Sequence, residues 1–295
     1  MMNKYKLPTF FVVGAQKSGT TSLHNYLCGH PDIFLPFQKE TKFFVKDELY
    51  KKGLEYYEKT FFSEYSGEKA VGEIDPDIIY FNKALERIKN SNIVPKFIFI
   101  FRHPVDRAFS HYLMTYRRGR ESLSFSNAVA EEKERINKGD YENMEYSYIS
   151  RGFYARQLDR FILEYSPSSM LFLLSEDLQN NTQATIKKCL DFLGVDSAWV
   201  PDNVNQVFHK ANVPKNVALY KTVRYQSPLR NFARLLVPGK KMRKIIREAI
   251  FSWNTTDTIR QKMTDETRQY LIDIYREENI RLGELIGRDL SHWNK

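Results

Sequence analysis

Apolar positions gather into blocks along the chain, and three of those blocks have the make-up of strands. TFFVVG at 9–14, KFIFIF at 96–101 and MLFLLS at 170–175 are near-continuous runs rich in aromatic and branched residues. That pattern belongs to strands buried on both faces of a parallel sheet. Each is followed by helical periodicity. Residues 20–29 carry Leu23, Tyr26 and Leu27 at helical spacing. Pro104 suits the first turn of a helix running to about residue 118. After the third strand come EDL and then TQATIKKCLDFLGV, where Gly194 is placed as a C-cap. Towards the end, residues 264–287 set Leu271, Ile274, Tyr275, Leu282, Leu285 and Ile286 near one face of a long amphipathic packing helix.

Strands alternating with helices predict an α/β fold, a central parallel sheet flanked by helices. No internal repeat, low-complexity tract or Gly/Ser linker marks a boundary, so a single domain over 1–295 is expected. Two stretches break the pattern. NKGDYENMEYSYISRG at 137–152 is polar and tyrosine-rich, and reads as a surface loop able to cover a site. Residues 205–250 hold eleven Lys or Arg and one acid, Glu248, so this segment alone carries +10.

Composition narrows the class. With 42% hydrophobic and 14% aromatic residues the chain of 295 is an ordered globular protein, long enough for a substantial core. The net charge of +9 suggests an anionic ligand or surface without identifying one. Cys28 and Cys189 fall in predicted helices with no zinc-type spacing and are expected to be buried, reduced thiols. The short apolar run at the start ends in a glycine loop and reads as a strand, not a signal peptide. Nothing approaches the roughly 18 apolar residues of a membrane span. A soluble, cytoplasmic protein with no membrane span is the expectation.

The chemistry starts at GAQKSGTTS, residues 14–22. Gly14 and Gly19 have the spacing of a Walker A loop, but that loop would place Lys at 20 and a magnesium-holding hydroxyl at 21. Here Thr20 and Thr21 follow the second glycine and the lysine is Lys17. Strand, glycine loop and helix still come in the order that lets the backbone N–H groups of residues 15–21 wrap an anion at a positive helix end. Lys17, Ser18, Thr20, Thr21 and Ser22 in one such loop weigh against a ligand-free turn. At the end of the second strand, where an ATP or GTP enzyme would have an acid for magnesium, stands Arg102. Arginine cannot ligate a metal but grips phosphate in a fork. The pattern fits a nucleotide with separate phosphates and no metal. A sulfuryl group in transfer carries less negative charge than a phosphoryl group, so one lysine and backbone donors could serve it. Lys17 would then face the oxygen bridging phosphate and sulfate, where charge develops.

These residues resemble a known family. GAQKSGTTSL is similar to the 5′-phosphosulfate loop, and RHPVDRAFSHY to the 3′-phosphate segment, of sulfotransferases that use 3′-phosphoadenosine 5′-phosphosulfate (PAPS). HPDI, KETKFF, GFYARQL, LLSEDL, CLDFLGV and LGELIGRDLSHW complete the resemblance over almost the whole chain. It most resembles the bacterial branch related to heparan sulfate N- and O-sulfotransferase domains. The resemblance implies a P-loop-like, nucleotide-kinase-like sulfotransferase fold, PAPS as co-substrate, adenosine 3′,5′-bisphosphate (PAP) as product, and no metal. It implies Lys17 as the catalytic lysine, with Gln16, Ser18, Gly19, Thr20, Thr21 and Ser22 beside it at the 5′ end. Arg102 and Ser110 would hold the 3′-phosphate, with Tyr154 near the nucleotide. Lys210 and Asn212, with Lys215, fall in VFHKANVPKN, where the family closes its nucleotide site; the usual K-G-R is missing.

Sulfuryl transfer to an alcohol or amine needs a base. Glu40 of KETKFF matches the glutamate of the family's E-x-x-F-F segment, and Lys39 and Lys42 should keep it ionised. By itself Glu40 reads as an exposed glutamate paired with lysine. A second acidic cluster, Glu73, Asp75 and Asp77, lies in GEIDPDIIYF, where relatives have E-K-x-P and this chain has Ile74. His24, His30, His103 and His111 read as capping or packing residues.

The expected reaction is sulfuryl transfer from PAPS to a hydroxyl or amine, with a small-molecule acceptor and no nucleic acid. A glycan acceptor is the alternative. A magnesium-dependent P-loop kinase would require Lys at 20 and an acid near 102. A nucleic-acid or anionic-membrane binder would use the basic segment, for instance GKKMRKIIREAIFSW at 239–253. Oligomeric state does not follow from the sequence.

Overall fold

The computed structural model describes residues 6–201, 204, 213–214, 255–256 and 261–295. In chain order the elements are β1 (Phe10–Gly14), α1 (Thr20–Leu27), β2 (Ile33–Phe34), α2 (Asp47–Tyr50), α3 (Gly53–Phe61), β3 (Ala70–Ile74), α4 (Asn82–Asn90), β4 (Lys96–Phe101) and α5 (Pro104–Arg117). Next come α6 (Phe125–Ala130), α7 (Glu132–Ile136), α8 (Asp140–Tyr146), α9 (Tyr154–Glu164), β5 (Met170–Leu174), α10 (Ser175–Asn180) and α11 (Thr182–Leu193). A two-residue ladder, β6 (Val213–Pro214) with β7 (Thr255–Thr256), precedes the long α12 (Asp265–Ile286).

The five strands β2-β3-β1-β4-β5 form one sheet in that order, and every pairing in it is parallel. This is the α/β architecture that the three apolar runs imply. All five residues of β1 are buried, as are Phe97–Phe101 of β4, because helices cover both faces. The inner strand β3 was not visible in the hydrophobic pattern, since Gly72 and Glu73 interrupt its apolar run. Gly72 is there for space: a Cβ on it would lie 2.1 Å from the Phe10 ring. Leu23, Tyr26 and Leu27 of α1 pack with Ile98, Ile100 and Leu173 of the sheet and Ile186 and Leu190 of α11. Gly194 closes α11 in the left-handed conformation, φ 79°, and its N–H donates to the Leu190 carbonyl.

The chain's internal contacts divide it into two compact units, one of residues 1–107, 151–208 and 272–295, the other of residues 108–150 and 209–271. The segment expected to be a polar loop, 137–152, instead holds regular structure and is partly interior. It holds α8, and Glu145, Ser147 and Tyr148 are buried. Several of its polar groups find partners from earlier in the chain: Glu121 accepts from the Tyr148 hydroxyl at 2.8 Å and from Arg135 at 2.7 Å, and Glu132 accepts from the Ser150 amide at 2.8 Å. Cys189 is buried as expected, whereas Cys28 is exposed, because α1 ends one residue before it and Cys28 serves as C-cap. On α12, Leu271, Tyr275 and Leu282 are buried, while Ile274, Leu285 and Ile286 are half-buried.

Candidate functional site

The glycine loop leaves the C-terminal end of the central strand β1, the edge of an open α/β sheet at which ligands bind. Lys17 has φ 70° and Gly19 φ 108°, so the loop turns back twice through the left-handed region. Turns of this kind gather successive N–H groups on one concave side. Gly19 is the N-cap of α1 and offers no side-chain acceptor, which leaves the first N–H groups of that helix directed at whatever occupies the loop. Gln16 Oε1 is buried with no hydrogen-bond partner. Ser18 and Thr20 are buried, and Thr21 and Ser22 half-buried on the first turn of α1. The donor set and the uncapped helix fit a phosphate-type anion.

β4 brings Arg102 to the same place. Its guanidinium donates to the Lys17 carbonyl at 3.3 Å, and the Ala15 amide donates to the Ile100 carbonyl at 2.7 Å, so β4 grips the loop twice. Tyr154, the first residue of α9, is buried and donates from its hydroxyl to the Arg102 carbonyl at 3.0 Å. Burial raises its pKa, against the neighbouring positive charge of Arg107. Lys17, Ser18, Arg102 and Tyr154 therefore meet, although they come from three separate stretches of chain. Ser110 lies on α5, in the second compact unit. Lys210, Asn212 and Lys215, and the basic stretch 239–253, lie outside the described residues.

Glu40 is built differently. Glu40 and Lys42 both adopt left-handed backbone, φ 60° and 61°, on either side of Thr41. The Glu40 amide donates to the Ile74 carbonyl at the end of β3, at 3.1 Å. Its carboxylate pairs with Lys39 at 2.7 Å and Lys42 at 3.1 Å. Burial works against the charge, yet Lys42 and Lys39 hold the carboxyl below its usual range. Glu40 is thus ionised, as its lysine neighbours imply. The charge also reaches His24 on α1, whose pKa burial lowers.

Lys42 ties Glu40 to a larger network. Its ammonium also lies 2.7 Å from Asp75 and 2.6 Å from Asp77, and Asp77 in turn accepts from the buried Arg151 at 2.5 Å. Burial opposes the Lys42 charge, but Asp75, Asp77 and Glu40 raise its pKa. Burial likewise opposes the Asp77 charge, and Lys42 and Arg151 override it, holding Asp77 well below the usual range. Asp75 is shifted up, first by burial, with Asp77 and Glu40 adding to it against Lys42. The acidic cluster was legible in the sequence; its cation Arg151 was not, being 74 residues from Asp77. His30 is the packing residue expected, taking the Asp32 amide on Nδ1 at 3.0 Å and lying against Trp199.

A family model described as "Sulfotransferase domain" matches residues 7–283. The chain belongs to the sulfotransferase family. The human bifunctional heparan sulfate N-deacetylase/N-sulfotransferase 2 is 23% identical over 292 residues, spanning 96% of this sulfotransferase and 30% of that protein. Mouse heparan sulfate glucosamine 3-O-sulfotransferase 3B1 is 29% identical over 195 residues, 64% of this chain and 47% of its own. The crystal structure of a sulfotransferase from Alicyclobacillus acidocaldarius superposes with a TM-score of 0.70 at 26% identity, covering 98% of this chain and 100% of that one. The sulfotransferase therefore spans less than half the length of either curated relative. It is an enzyme of the sulfuryl-transfer class on a parallel α/β sheet, as the loop and the strand order imply. Among the described residues no helix is long and apolar enough to cross a membrane, and no group of three or more His, Cys, Asp or Glu could hold a metal ion.

Proposed function

We propose that this sulfotransferase moves a sulfuryl group from PAPS to a hydroxyl or amine of a saccharide acceptor. The observation that carries the donor is the Arg102 guanidinium fixed on the Lys17 carbonyl, which sets a phosphate fork beside an uncapped helix start. PAPS supplies an activated sulfate whose leaving group is a phosphate oxygen. Residues 15–22 cradle the 5′ end with backbone N–H groups and the hydroxyls of Ser18, Thr20, Thr21 and Ser22. Gln16 offers a side-chain amide there. Lys17 places a positive charge where the leaving oxygen becomes negative. Arg102 takes the 3′-phosphate, and Tyr154 orients Arg102 through its carbonyl. Glu40, already ionised, accepts the acceptor proton as the new S–O or S–N bond forms.

The saccharide reading is supported by the two curated relatives, both named for heparan sulfate sulfotransfer. A small-molecule acceptor is the second reading, and a specific observation favours it. Lys39 and Lys42, the cations paired with Glu40, and Arg151, paired with Asp77, are all engaged by carboxylates of this same chain, which leaves them less able to recognise a polyanion.

Two measurements test the proposal. PAP added without magnesium should raise the melting temperature: at about 100 times Kd the stabilisation is about 2.7 kcal/mol. No shift, or a shift seen only with ATP and magnesium, overturns the donor assignment. Sulfate transfer to amino-sugar oligosaccharides and to simple alcohols, amines and phenols, read by mass, decides between the two acceptors.

A further inference from the structure

The turn that carries Glu40 is unusual in its backbone. Glu40 and Lys42, neither of them glycine, sit at φ 60° and 61° with only Thr41 between them. Such conformations persist where surrounding structure over-determines them. The surroundings here are particular. Thr41 is buried, and its hydroxyl donates to Glu73 Oε1 while accepting from the Phe43 amide at 3.1 Å. The other carboxylate oxygen, Glu73 Oε2, accepts from the Tyr57 hydroxyl on α3. Tyr57 is fully buried and its ring stacks on Phe43 with centroids 4.4 Å apart.

Glu73 has no obvious reason to stand in the middle of β3, a strand whose five residues are all buried. It pairs in register with Phe11 of β1, and Ile74 pairs with Val12, just before the glycine loop. Ile74 takes the Glu40 amide on its carbonyl, and Glu73 takes the Thr41 hydroxyl on its carboxylate. Two consecutive residues of β3 therefore hold two consecutive residues of the turn. The same strand is hydrogen-bonded to the strand that launches Lys17. A rigid connection runs from the glycine loop through β1 and β3 to Glu40.

From this we infer that Glu73 is a positioning residue for the reaction: with Tyr57 and Thr41 it fixes the Glu40 carboxylate relative to the glycine loop. The inference rests on Glu40 being the base. Proton removal during attack is sensitive to small displacements of the base, so the anchor acts on turnover while leaving donor binding to the loop itself. Asp75 and Lys42 are the other charged groups whose fields reach Glu73, and Lys42 is itself paired with Glu40, Asp75 and Asp77.

The test uses Thr41→Val, which keeps the branched shape and removes the hydroxyl, Thr41→Ser, which restores it, Glu73→Gln and Glu40→Gln. The expected result is that Thr41→Val and Glu73→Gln lower kcat by about 10- to 100-fold while the donor KM and the PAP-induced thermal shift stay at the parent values. Thr41→Ser recovers most of the turnover. Parent-like kcat in Thr41→Val, with Glu40→Gln inactive, overturns the anchor and spares the base. Parent-like kcat in Glu40→Gln removes the base assignment and the inference with it. Loss of kcat and PAP binding together in Thr41→Val, not recovered by Thr41→Ser, makes the contact a purely structural one and also overturns the proposal.

Discussion

Arg102 donates to the carbonyl oxygen of Lys17 across 3.3 Å, joining the end of β4 to the loop after β1. One nitrogen of the guanidinium braces the loop, and the remaining donors of the fork are the ones suited to phosphate. The side chain so serves as both a part of the loop's scaffold and the proposed 3′-phosphate contact. Arg102→Ala is expected to abolish the PAP thermal shift. The unliganded protein should lose only about 1 kcal/mol, the net value of one hydrogen bond of a partly exposed group. Calorimetric or dye-monitored melts with and without PAP separate the two effects.

Lys17→Ala should behave in the opposite way. If the ammonium stabilises the leaving oxygen, kcat falls by about 10²- to 10³-fold. The backbone cradle survives, so PAP still raises the melting temperature. Single-turnover transfer alongside thermal shift checks both halves, and unchanged kcat would remove Lys17 from the chemistry.

The Lys42–Asp77–Arg151 cluster should dominate stability near Glu40. Asp77→Asn takes the Asp77 carboxylate away from the buried Arg151 and Lys42, a change that costs about 3–5 kcal/mol in comparable pairs. Its pH dependence has a definite sign. Asp77 is depressed below its usual 3.8, so its contribution is present above that value and is lost as pH falls towards the lower folded value. Denaturant midpoints from neutral to strongly acidic pH should show the parent protein losing this increment at the acid end, with Asp77→Asn lacking it throughout.

Glu73 gives the reverse slope. Burial, with Asp75 adding and its two hydroxyl partners opposing, raises the carboxyl from 4.5 to about 7. The folded protein prefers the acid, so this contribution is complete below about 4.5 and is lost as pH rises to about 7, on the order of 3 kcal/mol in total. Glu73→Gln removes the titration. Its stability relative to the parent should therefore improve between pH 4.5 and 7 and stay level above, as urea melts across that range will show.

Gly72→Ala tests the fit of β3 on β1. The added Cβ would lie 2.1 Å from Phe10 Cζ, and the interior of a buried sheet cannot yield that distance without displacing the ring. A loss of about 1–3 kcal/mol is expected. Phe10→Leu should be partly rescued by the same change, a coupling that a double-mutant cycle measures directly.

The candidate site was unevenly legible. The glycine loop, Arg102 and Glu40 could be read because each is a local signal: a loop between strand and helix, an arginine ending a strand, a glutamate in KETKFF. The tyrosine-rich stretch 137–152 misled for the converse reason. Its polar residues look solvent-bound one at a time, and only the partners Glu121, Arg135 and Glu132, brought from earlier in the chain, make burial of Tyr148 and order at Ser150 affordable. Cys28 differs from expectation through a one-residue matter of where α1 stops.

By itself the sequence determined the three strand–helix units carrying the glycine loop, Arg102 and Gly194, because hydrophobic periodicity and turn chemistry act over a few residues. Tertiary structure alone decided which charges compensate which. Lys42 meets Asp75 and Asp77 across 33 and 35 residues, and Arg151 meets Asp77 across 74. A buried ion pair is set by the low-dielectric space in which its members meet, and sequence spacing carries no record of that space. The same holds for Glu73. In the chain it is one acid among several, and its place beneath Thr41 and Tyr57 exists only once β3 has entered the sheet.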